Sequence, residues 1–350
     1  MEKILITPLF GMGDTLMSTP ALELLKTHRA DTEVTYFTFN KTTHAAMLNN
    51  PHIDNLIYYP IKLIHFYRDI FYILNKLTGR FDTCINFYPS NRNAYNLFSA
   101  LTLAKKRIGH TYLNMNASQL NWIKNLTVVE DPALHCVEKN VQLLRFLGIN
   151  SENIDIPQTR IYPSEHDFIR AAKILAPFEG SVTVGVHAGT STFKGHTNRR
   201  WPIDKFIALI NHHPGKKFLL FGTGDEIAVN ETIQAKVKTP ADVQIIKDVS
   251  IHEAAAIIKG LNAFVTNDSG LMHVANAVWT PIVAILGPTN PNYIRPWKVR
   301  HEVIRDNLPC SPCFYYSPRP LRCHLDGKFS CLTELSVEKV SDALDRICKE

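Results

Sequence analysis

Short β-branched runs, each closed by a glycine or polar turn that opens a helix, recur along this chain and constrain its fold more than any other feature. Ile4–Thr7 leads into Gly11-Met12-Gly13, and a helical stretch at Pro20–His28 follows. Val34–Phe39, Asn55–Tyr59 and Thr83–Tyr88 read as further strands, with helices expected at Ala45–Asn49 and Ile61–Leu77. Alternation of this kind folds as βαβ units around a parallel sheet. It resumes with strands expected at Val182–His187, Lys217–Gly222, Val243–Ile246, Ala263–Thr266 and Ile282–Leu286. Helices are expected at Ile203–His212, Glu226–Val237, His252–Lys259, Leu271–Ala277 and Ser336–Cys348. The polar stretch Gly148–Pro163, with two prolines, reads as the linker. A chain of 350 residues fits two domains at roughly 150 residues each. The expectation is two doubly wound α/β domains, with ligands at the carboxyl ends of their strands.

Charge limits the partners. Lys plus Arg number 38 and Asp plus Glu 32, a net +6. That suits phosphate or carboxylate ligands and falls short of the dense basic stripe of a nucleic-acid binder. Apolar runs such as Pro281–Gly287 are far shorter than the roughly 20 residues that span a bilayer. Met1-Glu2-Lys3 runs straight into a buried-strand pattern rather than a signal peptide. A cytoplasmic location is therefore expected, with reduced thiols.

The first glycine turn, Gly11-Met12-Gly13-Asp14-Thr15-Leu16, lets the backbone approach a ligand. It is not a dinucleotide fingerprint. Leu16 stands where the third glycine belongs, and Asn40 where the ribose acid belongs. Asp14 has two readings. As a helix-start acid it satisfies free N–H groups. As a general base it takes a proton at the mouth of the site.

The second half carries more. His187-Ala188-Gly189-Thr190-Ser191 follows a strand, with Lys194, Arg199, Arg200 and Trp201-Pro202 after it. Hydroxyls, free amides and cations at a strand end make a phosphate cradle. Phe221-Gly222-Thr223-Gly224-Asp225-Glu226 offers an acid to a ribose diol or to a helix start. In Asn267-Asp268-Ser269-Gly270-Leu271-Met272-His273 the amides of Ser269, Gly270 and Leu271 are placed to face a diphosphate, with His273 on the same turn.

Taken together, these segments resemble glycosyltransferase family 9, the ADP-heptose:lipopolysaccharide heptosyltransferases. The matching stretches are GDTLMSTPALELLK at Gly13–Lys26, HAGTS with RRWP at His187–Pro202, NDSGLMHVANA at Asn267–Ala277 and ILGPTNP at Ile285–Pro291. The resemblance implies a GT-B fold, two Rossmann-like domains facing across a cleft, with acceptor bound by residues 1–160 and donor by residues 161–350. It implies inverting, metal-independent transfer of heptose from ADP-heptose to an anionic acceptor, the lipopolysaccharide inner core. By position, Asp14 matches the catalytic carboxylate, and Thr190 and Ser191 match the phosphate loop. Glu226 matches the ribose acid, and Asp268, Ser269 and Gly270 the segment holding sugar and diphosphate. The family has lysine two residues before the tryptophan, where this chain has Arg199, so either Arg199 or Lys194 supplies the cation. Competing readings are a protein acceptor, another nucleotide sugar, or a nucleotide-binding protein without turnover.

Two features stand outside that pattern. Cys310-Ser311-Pro312-Cys313, with Cys323 and Cys331, is a candidate four-thiolate structural site for zinc or iron within a Cys-rich segment, residues 309–332. Little apolar material is apparent there, so metal is expected to staple it independently of the nucleotide loops. Ile61–Arg80 mixes Lys62, His65, Arg68, Lys76 and Arg80 with aromatics. It reads as a solvated basic helix or as a peripheral contact with the inner face of the cytoplasmic membrane.

Overall fold

β1 (Lys3–Ile6), β2 (Glu33–Thr38), β3 (Asn55–Tyr58), β4 (Thr83–Ile85), β5 (Lys106–Thr111) and β6 (Leu126–Val129) form one sheet in the computed structural model. Their order is β3-β2-β1-β4-β5-β6, every pair parallel. β7 (Thr183–His187), β8 (Lys217–Phe221), β9 (Val243–Ile246), β10 (Ala263–Asn267), β11 (Ile282–Ile285) and β12 (His301–Ile304) form the second, also parallel. Its order, β12-β11-β10-β7-β8-β9, is the first order counted from the other edge. Both halves are therefore doubly wound, with the order reversing between β1 and β4 in one and between β7 and β10 in the other. A ligand crevice is expected at each reversal.

The structure describes residues 1–60, 66–151, 154–315, 321–325 and 327–349. The chain divides into two compact units at Tyr162/Pro163, inside the polar Gly148–Pro163 stretch. The central strands of a doubly wound parallel sheet are buried on both faces. All five residues of β7 and of β10 are buried. In the second unit Val184, Val186, Val265, Val283 and Ile285 pack against Trp201, Phe206, Leu332 and Leu344.

Strands β5, β6 and β12 and the helix Asn93–Leu101 go beyond the sequence-based expectation. β5 reads Lys-Arg-Ile-Gly-His-Thr, too polar to announce itself, yet it pairs with both β4 and β6. Parallel strands held on both sides take backbone partners from their neighbours, which propensity does not register. The expected Ala45–Asn49 helix is Lys41–Met47, started by Asn40, whose side chain accepts from the Thr43 amide. Of the Ile61–Leu77 stretch, Phe66–Lys76 is helical, while Lys62 and His65 lie outside the described residues. Among the described residues no helix is long and apolar enough to cross a membrane.

Candidate functional site

At the reversal point of the first unit, β1 ends beside β4, with Ile6 level with Ile85. The helix Met12–Leu16 starts immediately after, and Asp14 occupies its first turn, half-buried. Its carboxylate curls back over Gly11: a Cβ there would lie 2.5 Å from Asp14 Oδ2. Only glycine leaves that oxygen room, so the turn that admits a ligand also shapes the carboxylate's pocket. Burial holds the Tyr36 hydroxyl up at about 12, with the Asp14 charge adding to the rise. Tyr95 is raised by burial, lowered by Arg92 and raised again by Asp14. One buried tyrosine thus senses both charges. Arg92, on the loop after β4, lies with its guanidinium 5.6 Å from the Phe10 ring centroid. Sequence reasoning passed over Arg92 because no glycine or motif marks it.

The second unit gathers most of the expected donor residues at its own reversal point. His187 at the end of β7 is level with Thr266 on β10. Asn267 joins the two loops: its amide donates to the carbonyls of Ala188 (2.9 Å) and Gly189 (3.3 Å). Its carbonyl oxygen accepts the Trp201 backbone N–H at 2.9 Å. Trp201 is fully buried and donates its indole N–H to Leu335 O.

Ser269 stands at the N-cap of the helix Gly270–Ala277 but makes no side-chain cap. Its hydroxyl pairs instead with His187 Nδ1 (2.8 Å) and Thr266 Oγ1 (3.2 Å). The first-turn amides, Gly270 among them, are left without that cap and form the positive end of the helix dipole. Such amides are a ready anion site.

Asp268 and Arg199 form a buried pair, Nη1 to Oδ2 2.7 Å, and Thr289 Oγ1 donates to the same oxygen at 2.6 Å. Burial works to raise the Asp268 pKa, but Arg199, Thr289 and His273 together hold it below the usual carboxylate value. Burial pushes His273 down to about 4, with Asp268 opposing and Arg199 assisting, so the imidazole is neutral at pH 7. Arg199 Nη2 reaches His196 Nδ1 at 3.0 Å, while Nε is buried with no hydrogen-bond partner among the described residues. A buried guanidinium with a spare N–H is poised for an anionic ligand.

Glu226 accepts the Thr223 N–H at 3.1 Å and lies 3.3 Å from His187 Nε2. Burial favours a raised pKa, but His187, the Thr223 amide and Arg200 leave it lowered and ionised. A Cβ on Gly189 would fall 1.9 Å from Glu226 Oε1, so glycine is required for the two loops to meet. His187 thus ties Glu226 to Ser269, one ring nitrogen on each.

The Thr190 hydroxyl donates to His196 O (2.9 Å) and accepts from Arg200 Nε (3.2 Å), so it shapes the loop and has no spare donor for a phosphate. Ser191 is exposed. The Lys194 side chain lies outside the described residues.

The four cysteines share one neighbourhood. Cys331 is held up at about 11 by burial and then by Cys313, Cys310 and Cys323, and Cys313 is raised by burial and by Cys310 and Cys323. No three of these sulfurs lie within 4.8 Å of one another, so a metal would have to draw them inward. The expectation that the segment lacks apolar anchorage is corrected. Leu332 is fully buried, Cys331 and Leu321 nearly so, and Phe329 packs against the core. Cys84 and Cys136, on other elements, are plain buried thiols. Asp167 and Glu253, the carboxylates grouped with His166, are both spent in capping boxes on Ser164 and Ser250.

Comparison with known proteins matches this architecture. Over 178 residues the chain is 32% identical to lipopolysaccharide heptosyltransferase 2 of Escherichia coli, covering 48% of this chain and 50% of that protein. The chain spans 32% to 52% of the length of the first curated relatives it matches. To lipopolysaccharide heptosyltransferase 3 of E. coli it is 24% identical over 97% of this chain and 96% of that one. The solved E. coli ADP-heptose lipopolysaccharide heptosyltransferase II superposes with a TM-score of 0.73 at 19% identity, covering 99% and 98% of the two chains. The fold is therefore GT-B. The family model described as glycosyltransferase family 9 (heptosyltransferase) matches residues 75–321, well over half of the sequence, and the chain belongs to that family.

Proposed function

We propose that this chain transfers heptose from ADP-heptose to the lipopolysaccharide inner core with inversion, the first unit taking the acceptor and the second the donor. The observation that carries the reading is the Asp268–Arg199 pair, with its spare Nε–H, beside the uncapped helix Gly270–Ala277. An acceptor hydroxyl oxygen bonds to the anomeric carbon as the bond from that carbon to the diphosphate oxygen breaks. Asp14 takes the hydroxyl proton, and ADP leaves with the electron pair. Arg199 and the helix amides meet the charge that develops on the leaving oxygen. Glu226, ionised and oriented by His187, receives the ribose hydroxyls. Tyr67, 87% exposed, and Phe71, 68% exposed, stand on a helix bearing Arg68 and Lys76, which supports contact with an anionic membrane surface where such acceptors reside.

A donor panel tests this, with products identified by mass spectrometry against lipopolysaccharide core and candidate proteins. ADP release from ADP-heptose only when core is present is the expected result. Modified protein, or product from another nucleotide sugar, moves the substrate assignment. ADP binding without any product reduces the chain to a binding module.

Arg199→Ala should weaken ADP by roughly 10- to 100-fold, the loss of a charge-assisted contact, and Lys194→Ala by less. Arg199→Lys, which leaves Asp268 paired, separates affinity from any loss of folding. Calorimetric titration ranks them; a costlier Lys194→Ala would give the cation role to Lys194.

We also propose that Cys310, Cys313, Cys323 and Cys331 hold one structural zinc or iron. Four neighbouring thiols, two of them raised by burial and then by one another's charge, suit a divalent cation, which would stabilise the thiolates and staple the segment. Protein purified without added metal should contain about one equivalent, lost in the Cys310→Ser/Cys313→Ser double variant along with thermal stability. Metal-free protein whose melting is indifferent to chelator would leave four ordinary thiols.

A further inference from the structure

The cysteine segment is stitched onto the donor site. The N–H groups of Cys313 and Phe314 both donate to Pro288 O at 2.9 Å, on the loop that follows β11. Ser311 Oγ donates to Gly287 O at 2.9 Å and accepts from Arg305 Nη2 at 3.0 Å. Thr289 and Phe314 form an isolated parallel bridge. These bonds place the Phe314 ring against Arg199, with the guanidinium carbon 5.7 Å from the ring centroid. The His196 ring meets Phe314 edge-on, at 5.6 Å and 84°. Arg199 is therefore held by the Asp268 carboxylate, by His196 and by Phe314. Two of the groups fixing this arrangement, Phe314 itself and the Thr289 that fastens Asp268, are the two residues of that bridge.

We propose that Phe314 is a positioning residue for Arg199, and that the cysteine segment is the arm that presents it. The inference rests on the reading of Arg199 as the diphosphate cation. An arginine side chain carries considerable rotamer entropy, part of which a flat aromatic face removes before the ligand arrives. The guanidinium plane is then set, and its Nε–H, unpartnered among the described residues, keeps one direction. Leucine would fill the space without fixing that plane. A consequence follows for the thiols: whatever loosens Cys310 and Cys313 loosens Phe314, so donor affinity and the state of the cysteines are coupled. This replaces the expectation that the segment and the nucleotide loops act independently.

The test is calorimetric titration of the full chain with ADP and with adenosine. Phe314→Leu should weaken ADP by roughly 3- to 30-fold and leave adenosine unchanged, whereas Phe314→Tyr should bind ADP as wild type. In an Arg199→Lys background Phe314→Leu should cost less than about twofold, because the guanidinium plane is already gone. Cys310→Ser/Cys313→Ser should weaken ADP through the same arm, and much less so once Phe314 is leucine. An equal loss in both Arg199 backgrounds, or loss of adenosine along with ADP, overturns the proposal and leaves Phe314 as packing. So does wild-type ADP binding by Phe314→Leu when Arg199→Ala binds weakly. A cysteine double variant that has lost its metal yet binds ADP normally overturns the coupling. If Arg199→Ala itself binds ADP as tightly as wild type, the reading of Arg199 falls first.

Discussion

Asp14→Asn lowers the rate of heptosyl transfer by roughly 100- to 10,000-fold while ADP affinity stays within about twofold, the loss expected when a general base is removed. The carboxylate sits at the reversal point of the first sheet, whereas every donor-side group described above belongs to the second unit. Asparagine keeps the size and the hydrogen-bonding oxygen of the side chain over Gly11, so the short helix and its turn survive. What it removes is basicity and charge. The charge reaches Tyr36, Tyr95 and Cys136, whose pKa values it helps to raise, so the tyrosine hydroxyls should titrate slightly earlier in the variant. Single-turnover rates with saturating donor, alongside ADP titration, measure the two effects separately. A variant that still transfers heptose at the wild-type rate would return Asp14 to service as a helix-start acid.

Acid weakens both units before their carboxylates titrate. His110 in the first unit is pushed down to about 3 by burial and then by Lys124 and Lys139. His273 in the second is pushed down to about 4, chiefly by burial. Both start from 6.5, so the unfolded chain binds protons that the folded chain refuses. Stability therefore falls as pH drops below the unfolded value and continues to fall until the folded value is reached. Each histidine is fully buried and contributes about 2 kcal/mol of loss between pH 6.5 and about pH 5. For units of this size that corresponds to roughly 4–8 °C in melting midpoint. His44, His52 and His213, also lowered by burial, act in the same direction. Calorimetric melts at pH 7 and pH 5 check this, with His110→Gln expected to flatten the dependence of the first unit. Equal midpoints at the two pH values would mean that these rings are protonated in the folded protein.

The sequence by itself determined the architecture and the residue types of the candidate site. Period and turn chemistry are local, so β1, β7, β10 and β11 and the glycine turns that close them were legible from a few neighbouring residues each. The helix expected from Ser336 is found at Val337–Cys348, with Ser336 at its N-cap. Strands β5 and β12 were not legible, because what makes them strands is a neighbour's backbone more than their own side chains, and β6, Leu-Thr-Val-Val, is too short a run to stand out by itself.

In the site, residue types were legible and partnerships were not. Thr190 is the right residue for a phosphate loop, yet tertiary contact with Arg200 and His196 commits its hydroxyl to the loop itself. Ser269 is the right residue for a cap, yet His187, 82 positions earlier, draws its hydroxyl away and leaves the helix amides for an anion. Asn267 bonds back to Ala188 and Trp201 across similar distances in the chain, and Trp201 forward to Leu335. Phe314 had no motif to mark it, and becomes significant only because the bonds to Pro288 set its ring against Arg199. The physical reason is common to all of them. A side chain's hydrogen-bonding capacity is written in its chemistry, but which partner claims it is decided by the parallel sheet that brings distant loops to one edge.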